Sequence, residues 1–431
     1  MDTLYHIGRG CIGIITLIGI CYLLSNNRKA INWKLVASGV FLQIIFALGV
    51  LKVGAIKNIF QWLSDRFVGL INLSHQGTDF LFGSLANPDN NWGYVFAIQV
   101  LPNIIFFAAL SSLLYYMGIL QKIAYFFAWI LSKTMKLSGA ESMSTAANIF
   151  LGQTEAPLMI KPYIPTMSKS EILCIMVGGM ANTAGSVLAA YVGFLGGTDP
   201  ASRSFFALHM LSQSIMSAPA AIVASKILFP QTEKIETDLN VSKEKIGDNM
   251  LDAISNGTTD GLKLAVNVGA MLIVFTALMA VLNHIFFMFG DATHLNGLIN
   301  NWSGGRYASL SLNCILGYVF APLAWLIGVP MEDMYSIGQL LGEKTIINEF
   351  VAYISLGKMQ AAHQIMNTKS MVVATYALCG FANFASIGIQ IGGISALAPN
   401  QRRNLTELGI KALIGGSIAC FMTAAIAGML V

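Results

Sequence analysis

Charge is scarce in this chain: only 11% of its 431 residues are Asp, Glu, Lys or Arg, against about 25% in soluble domains. So few charges cannot keep a surface of this size in water, which excludes an ordinary soluble globule. Cysteine is sparse too. Cys11, Cys21, Cys174, Cys314, Cys379 and Cys420 stand singly in apolar runs without a CxxC spacing. That pattern excludes a disulfide framework or a cysteine metal site and leaves small, buried apolar side chains. Histidine is rare and scattered: His209 and His363 are isolated. No nucleophile–histidine pair or metal-ligand set emerges, so the chain is not expected to be an enzyme or to need a cofactor. The net charge of +4 is small and gives no reason to expect nucleic acid as a partner.

What is abundant is apolar: 55% of the residues are hydrophobic and the mean hydropathy is +0.66. A membrane span needs about 20 mostly apolar residues. Eight stretches qualify: 7–24, 35–55, 95–120, 172–195, 205–229, 264–289, 371–394 and 408–431. The first carries a single arginine, Arg9, near its start and has no small-residue cleavage site, so it reads as a retained span. The remaining apolar pieces fit less simply. Residues 123–133 are short and aromatic, and 309–329 contain Pro322. Residues 137–166 and 330–356 are too short to cross twice and carry glycine and polar residues near their middles. They read as re-entrant helical hairpins that enter the membrane and return. The expected fold is an all-α membrane protein with eight transmembrane helices and two re-entrant hairpins.

Positive charge orients it. Arg28, Lys29 and Lys34, then Lys161 and Lys169, then Lys234, Lys243 and Lys245, and finally Arg402 and Arg403 fall on one side if the first span starts outside. Arg306 and Lys358 fall on the other side. Residues 231–260 form the longest polar stretch and read as a cytoplasmic loop between two halves. The organisation is then a scaffold over 1–120, a first half over 121–262 and a second over 263–431. The order span, arm helix, hairpin, span, span runs from 95 to 229 and again from 264 to 431. Gly179-Met180-Ala181-Asn182-Thr183-Ala184 matches Gly380-Phe381-Ala382-Asn383-Phe384-Ala385 at the same place in that order. The halves enter from opposite sides, which makes an inverted repeat. Broken segments at matching places in such halves point to a transporter's binding site.

The first hairpin reads NIFLGQTEAPLMIKP over 148–162. Gly152 and Pro157 break the helix and expose Gln153, Thr154 and Glu155. A carboxylate at membrane depth costs about 2.5–3.5 kcal/mol on the insertion scale, so Glu155 needs water, a partner or a substrate. The second hairpin reads GEKTIINEFVAY over 342–353. Glu349 stands where its returning half-helix should begin, and a helix N-terminus favours negative charge. Lys344 reads as a partner of Glu343. Asn182, Thr183, Asn383 and Ser386 interrupt the two spans that follow the hairpins, among small residues that let backbones approach. The collected side chains are neutral donors and acceptors with two carboxylates and no arginine. A phosphate or dicarboxylate carrier would want a cation there. The set suits a neutral, hydroxylated or amide-bearing solute, and a nucleoside, a sugar and an amino acid all remain open on this ground.

Three segments together carry a family resemblance: Gly152-Gln153-Thr154-Glu155-Ala156-Pro157, Asn348-Glu349-Phe350-Val351-Ala352 and Gly380-Phe381-Ala382-Asn383-Phe384. They resemble the signature segments of concentrative nucleoside transporters, and the likeness extends over nearly the whole chain. It implies that Gln153, Thr154 and Glu155 contact the nucleobase, with Val187 reaching it through water. It implies that Glu349, Asn383 and Ser386 contact ribose, with Phe381 beside the sugar. A sodium site is implied at Asn148, Leu151, Asn182 and Thr183, where Asn182 replaces an expected serine. The resemblance further implies a sodium-driven symporter in a bacterial inner membrane, a homotrimer, and an elevator motion of a hairpin domain against a fixed scaffold. Proton coupling is the nearest alternative, and Asn148 argues for sodium. A membrane enzyme with Glu155 and Glu349 as an acid/base pair and a passive channel are the readings from other classes.

Overall fold

Backbone polar groups in an apolar solvent must be satisfied internally, which favours helices. The computed structural model describes residues 2–87, 95–197, 199–235 and 247–431, and among these there are eighteen α-helices and no strand. Lys243 and Lys245, used above for orientation, lie outside the described residues.

The scaffold begins with α1 (Asp2–Leu23), α2 (Trp33–Lys52) and α3 (Gly54–Phe82). A short α4 (Phe96–Gln99) leads into α5 (Leu101–Tyr116), and α6 (Ile119–Met135) is the arm helix. The first hairpin descends through α7 (Gly139–Ala147). The broken span after it is α8 (Lys169–Ala181) and α9 (Gly185–Gly196), followed by α10 (Pro200–Leu228). The second half opens with α11 (Met250–Ala292), α12 (Leu295–Trp302) and α13 (Leu312–Leu326). Its hairpin is α14 (Met334–Ile346) and α15 (Glu349–Ala361). Its broken span is α16 (Thr368–Leu378) and α17 (Phe384–Leu397), and α18 (Arg402–Leu430) closes the chain. The order hairpin, broken helix, long helix occurs twice, and α10 and α18 each have 29 residues.

Among the described residues, seven helical stretches are long and apolar enough to cross a membrane. The eighth expected span, 371–394, is divided into α16 and α17, of 11 and 14 residues. Lys169 and Arg403, from two of the basic groups, meet on one carboxylate. Lys169 bonds Glu407 at 2.5 Å, Arg403 bonds the same carboxylate at 2.9 Å, and Lys411 reaches Asn26, next to Arg28.

The structure corrects several expectations. Helix α3 was not assigned from the sequence because its polar residues keep its hydropathy low. They serve as contacts: Gln61 and Asp65 bond Ser204, and Asn72 accepts from Arg203 at 3.0 Å, all at the start of α10. The polar stretch 231–260 is not all loop, since α11 begins at Met250. With 43 residues, α11 is roughly 60 Å long, about twice the hydrocarbon thickness of a bilayer. Ser112 of α5 donates to its Ala253 carbonyl at 2.7 Å. The return limb of the first hairpin is not an α-helix but two 3-10 turns, Ala156–Ile160 and Ile164–Thr166. Pro157, Pro162 and Pro165 each lack the N–H that an α-helix would use. Glu343 and Lys344 do not pair. Glu343 accepts from Gln339 at 2.7 Å, while Lys344 donates to the Ala377 carbonyl of α16 at 2.7 Å. Adjacent residues on a helix do not face each other.

Polar side chains anchor both hairpins at their entrances. Ser138 and Glu141 form a capping box on α7. Glu141 also takes the buried ammonium of Lys226 from α10, and that ammonium bonds Ser170 of α8 at 3.0 Å. Asp333 does the equivalent work for the second hairpin. Its carboxylate accepts from the Met366 and Asn367 amides at 3.0 and 3.2 Å and from Ser370 at 2.5 Å.

The two broken spans cross at their breaks. A Cβ on Gly380 would lie 2.9 Å from the carbonyl oxygens of Met180 and Ala181 and 2.6 Å from Cys420 Sγ. Only glycine fits there. Gln213 of α10 satisfies the Ala181 carbonyl at 3.0 Å, and Gln390 of α17 satisfies that of Met176 at 3.0 Å.

Two outcomes follow. Gly380→Ala forces two backbones apart and is expected to destabilise by about 1–3 kcal/mol, read as a lower melting temperature of detergent-solubilised protein. Lys226→Met strands the Glu141 carboxylate, a loss of about 3–5 kcal/mol. Adding Glu141→Gln should recover most of that loss, because glutamine keeps the cap and removes the buried charge.

Candidate functional site

The breaks and the hairpin tips meet around a cavity of about 300 Å³. Gln153, Thr154 and Glu155 enter it from the first hairpin, and Asn348, Glu349 and Phe350 from the second. Val187 enters from α9, Phe381 and Asn383 from the break before α17, and Ser386 from α17 itself. All eight residues expected to meet the substrate therefore share one cavity. Residues far apart in sequence are joined because each hairpin turns back at the level where its neighbouring span is broken.

Helix ends explain the placement of the polar groups. Asn348 caps α15 through the Val351 amide at 3.0 Å, which leaves Glu349 in the first turn, where the helix dipole is positive. Asn383 caps α17 through the Ser386 amide at 2.9 Å. Its Nδ2 is then free to donate to Glu349 Oε2 at 2.6 Å. Tyr191 of α9 donates to the other oxygen, Oε1, at 3.2 Å. Glu349 is 2% exposed, yet both its oxygens are bonded. Glu155 is different: it opens into the cavity, and one oxygen accepts from the Gly152 amide at 3.1 Å. Gln153 donates to Ser386 at 3.3 Å, and its own carbonyl oxygen has no partner. The first hairpin tip and α17 are thus joined, with polar atoms left over for a ligand. Thr154 packs under Gly393, where a Cβ would lie 2.7 Å from its Cγ2.

The residues expected to hold a cation lie beside this cavity. Asn148 ends α7, is 1% exposed, and neither its Oδ1 nor its Nδ2 has a partner. A buried amide left wholly unsatisfied costs free energy unless something binds it. The hairpin turn packs against the first break, because the Gly185 amide donates to the Phe150 carbonyl at 3.2 Å. Leu151 lies in that turn and Asn182 and Thr183 lie in the break. Asn182 Oδ1 accepts from Ser217 of α10, and its Nδ2 has no partner. A hydroxyl can accept as well as donate. Turning the Asn182 amide over therefore keeps the Ser217 bond and frees an oxygen for a cation. Thr183 Oγ1 lies 3.6 Å from Cys379 Sγ, across the crossing of the two breaks.

Sequence reasoning missed some of the wall. Leu264, Asn267, Val268 and Met271 of α11 close one side of the cavity. Asn267 was visible as the one amide early in an otherwise apolar span. Tyr191 was also missed. It stands four residues after Val187 and so on the same helical face, which was the available signal.

Comparison with known proteins agrees with this geometry. A family model described as "Na+ dependent nucleoside transporter C-terminus" matches residues 209–428, and its N-terminal companion matches 12–85. A third, described as "Nucleoside recognition", matches 97–198. An uncharacterized transporter of Haemophilus influenzae is 42% identical over 426 residues, 97% of each chain. Solute carrier family 28 member 3 of Rattus norvegicus is 37% identical over 97% of this chain and 58% of its own length. The chain therefore spans somewhat over half of that relative. Among solved structures, CNTnw in an inward-facing substrate-bound state superposes with a TM-score of 0.89 at 38% identity, covering 98% of this chain and 99% of that one. A CNTnw variant in an outward-facing state gives a TM-score of 0.90 at 37% identity, covering 99% of both. Full-length likeness at this identity, together with the family models, shows that the chain is a membrane transporter belonging to the Na+ dependent nucleoside transporter family.

Proposed function

We propose that this chain imports nucleosides across a bacterial inner membrane, driven by a sodium gradient. The observation that carries the reading is a single cavity in which eight expected contact residues converge beside the wholly unsatisfied amide of Asn148. The cavity has donors and acceptors for a base edge on the first hairpin and an acceptor for sugar hydroxyls at Glu349. No arginine or lysine lines it, which suits an uncharged solute. In this reading Gln153, Thr154 and Glu155 meet the base, with Val187 nearby. Glu349, Asn383 and Ser386 meet the ribose beside Phe381.

Sodium is the ion named for the family, and a hard cation prefers oxygen ligands of the kind an amide supplies. Asn148 Oδ1, the Leu151 carbonyl, Asn182 and Thr183 would hold it as co-substrate. That set sits on the first hairpin and the first break, next to Gln153. A cation that joins hairpin to break favours the arrangement in which the substrate residues converge. Substrate and cation then strengthen each other's binding, and the effect is reciprocal. The hairpins and broken spans would move together past α5 and α11 in an elevator motion, and three copies would assemble as a trimer.

Proteoliposomes test the function. Uridine is expected to accumulate when sodium is high outside, at equal pH on both sides. Uptake driven by a pH gradient without sodium would transfer the assignment to protons, and uptake indifferent to both would reject symport. Glu349→Gln removes the charge that two donors are arranged to meet, and should lower uridine affinity by about tenfold or more. Asn148→Leu should abolish the rise in melting temperature that sodium gives the purified protein, while preserving its elution as a folded species.

A further inference from the structure

Each hairpin brings one carboxylate to the cavity, Glu155 from the first and Glu349 from the second. The two halves answer that charge differently. In the second half Lys344 lies in the last turn of α14, and its side chain is fully buried. Among the described residues no carboxylate lies within ion-pair reach of its ammonium. Glu343 turns to Gln339 instead. The ammonium donates to the Ala377 carbonyl at 2.7 Å, in the last turn of α16, and sits 6.0 Å from the centre of the Phe421 ring. A helix end of this kind favours a cation, because its last carbonyls have no partner within the helix. Glu349 feels the charge across the hairpin turn.

The first half places a different group at the matching point. Asn148 ends α7, the descending limb of the first hairpin, as Lys344 stands at the end of α14 in the second. The match of 179–184 to 380–385 makes Gly178 the counterpart of Cys379, and Met176 that of Ala377. Asn148 Nδ2 lies 3.4 Å from where a Cβ on Gly178 would stand. The Lys344 ammonium acts electrostatically on Cys379 and bonds Ala377. Both side chains therefore run from the end of a hairpin limb to the last turn of the half-helix beyond it. One is an ammonium with a carbonyl partner; the other is a buried amide with none. No lysine or arginine lines the cavity beside Glu155. The second half thus carries its own positive charge at this point, and the first half has an unpartnered amide there instead.

We propose that Lys344 is a tethered cation, holding in the second half the place that sodium takes in the first, and that it limits the chain to one mobile cation per nucleoside. The inference rests on the sodium-symport reading above and names the residue that sets its ion count. Lys344 touches no substrate. It fastens the second hairpin to the second break permanently, whereas the first hairpin is fastened only when an ion binds.

Uridine binding to the purified full chain across a sodium series, with choline keeping ionic strength constant, tests the idea. The power to which affinity follows sodium counts the ions that bind with the solute. In the wild type, affinity should rise about tenfold for each tenfold rise in sodium below saturation, the first power. Lys344→Asn gives the second half the residue type of Asn148 and room for an ion. Its dependence should steepen towards the second power, about a hundredfold over the same range. A merely structural lesion would weaken binding and keep the power. The reciprocal variant, Asn148→Lys, places an ammonium in the first half and should bind uridine without regard to sodium. A second-power dependence in the wild type overturns the proposal without any variant. An unchanged power in a Lys344→Asn chain that binds uridine overturns it, as does sodium-dependent binding in Asn148→Lys or loss of uridine binding in both variants. A wild type that binds uridine indifferently to sodium rejects the sodium reading and the inference with it.

Discussion

The crossing of the two broken helices is the constraint on which the rest depends. A helix that stops inside an apolar medium leaves N–H and C=O groups without partners, and each must be answered by protein or ligand. Here the answers are named side chains. Gln213 takes up the Ala181 carbonyl at the end of α8, Lys344 takes the Ala377 carbonyl at the end of α16, and Asn383 caps α17. Gly380 lets the second break lie against the last carbonyls of the first. The two half-helix starts that carry Val187 and Ser386 can then face one cavity from opposite halves of the chain.

The hairpins complete what the breaks begin. Each is fastened at its entrance by a buried acid, Glu141 in one and Asp333 in the other, and each turns at the depth of the crossing. Fastening the base while leaving the tip polar puts the anchoring charge and the cavity's charge in separate places. Glu141 has its own ammonium partner and no view of the cavity. Glu155 and Glu349 line it, and no cation shares that wall. In the proposed reading the site would bind its solute through hydrogen bonds, and a cation would meet the unpartnered amide of Asn148 beside it.

The wall of the cavity is drawn from two groups of elements. Helix α11 runs well past the thickness of a bilayer beside α5, and contributes only Leu264, Asn267, Val268 and Met271 to the cavity. The remaining lining comes from the hairpins and broken spans, which are bonded to one another. In the elevator motion proposed above, movement between the two groups would keep the proposed substrate residues together while changing the wall they face.

The sequence by itself determined the all-helical membrane class and seven of the long spans, and with the family resemblance it named the eight residues that share one cavity. These are legible because scarcity of charge and breaks by glycine and proline act locally, and because three short segments are distinctive. It did not disclose α3, whose polar residues are used on the start of α10, nor the helical start of α11 within a polar stretch. Local pattern also misled at Glu343 and Lys344, where adjacency suggested a pair that helix geometry turns apart. Tertiary structure alone decided which atoms meet: the phenol of Tyr191 on Glu349, Lys226 on Glu141, and the turn of Asn182 toward Ser217. Such contacts join residues up to 158 positions apart. They depend on how the two halves cross, which no local pattern encodes.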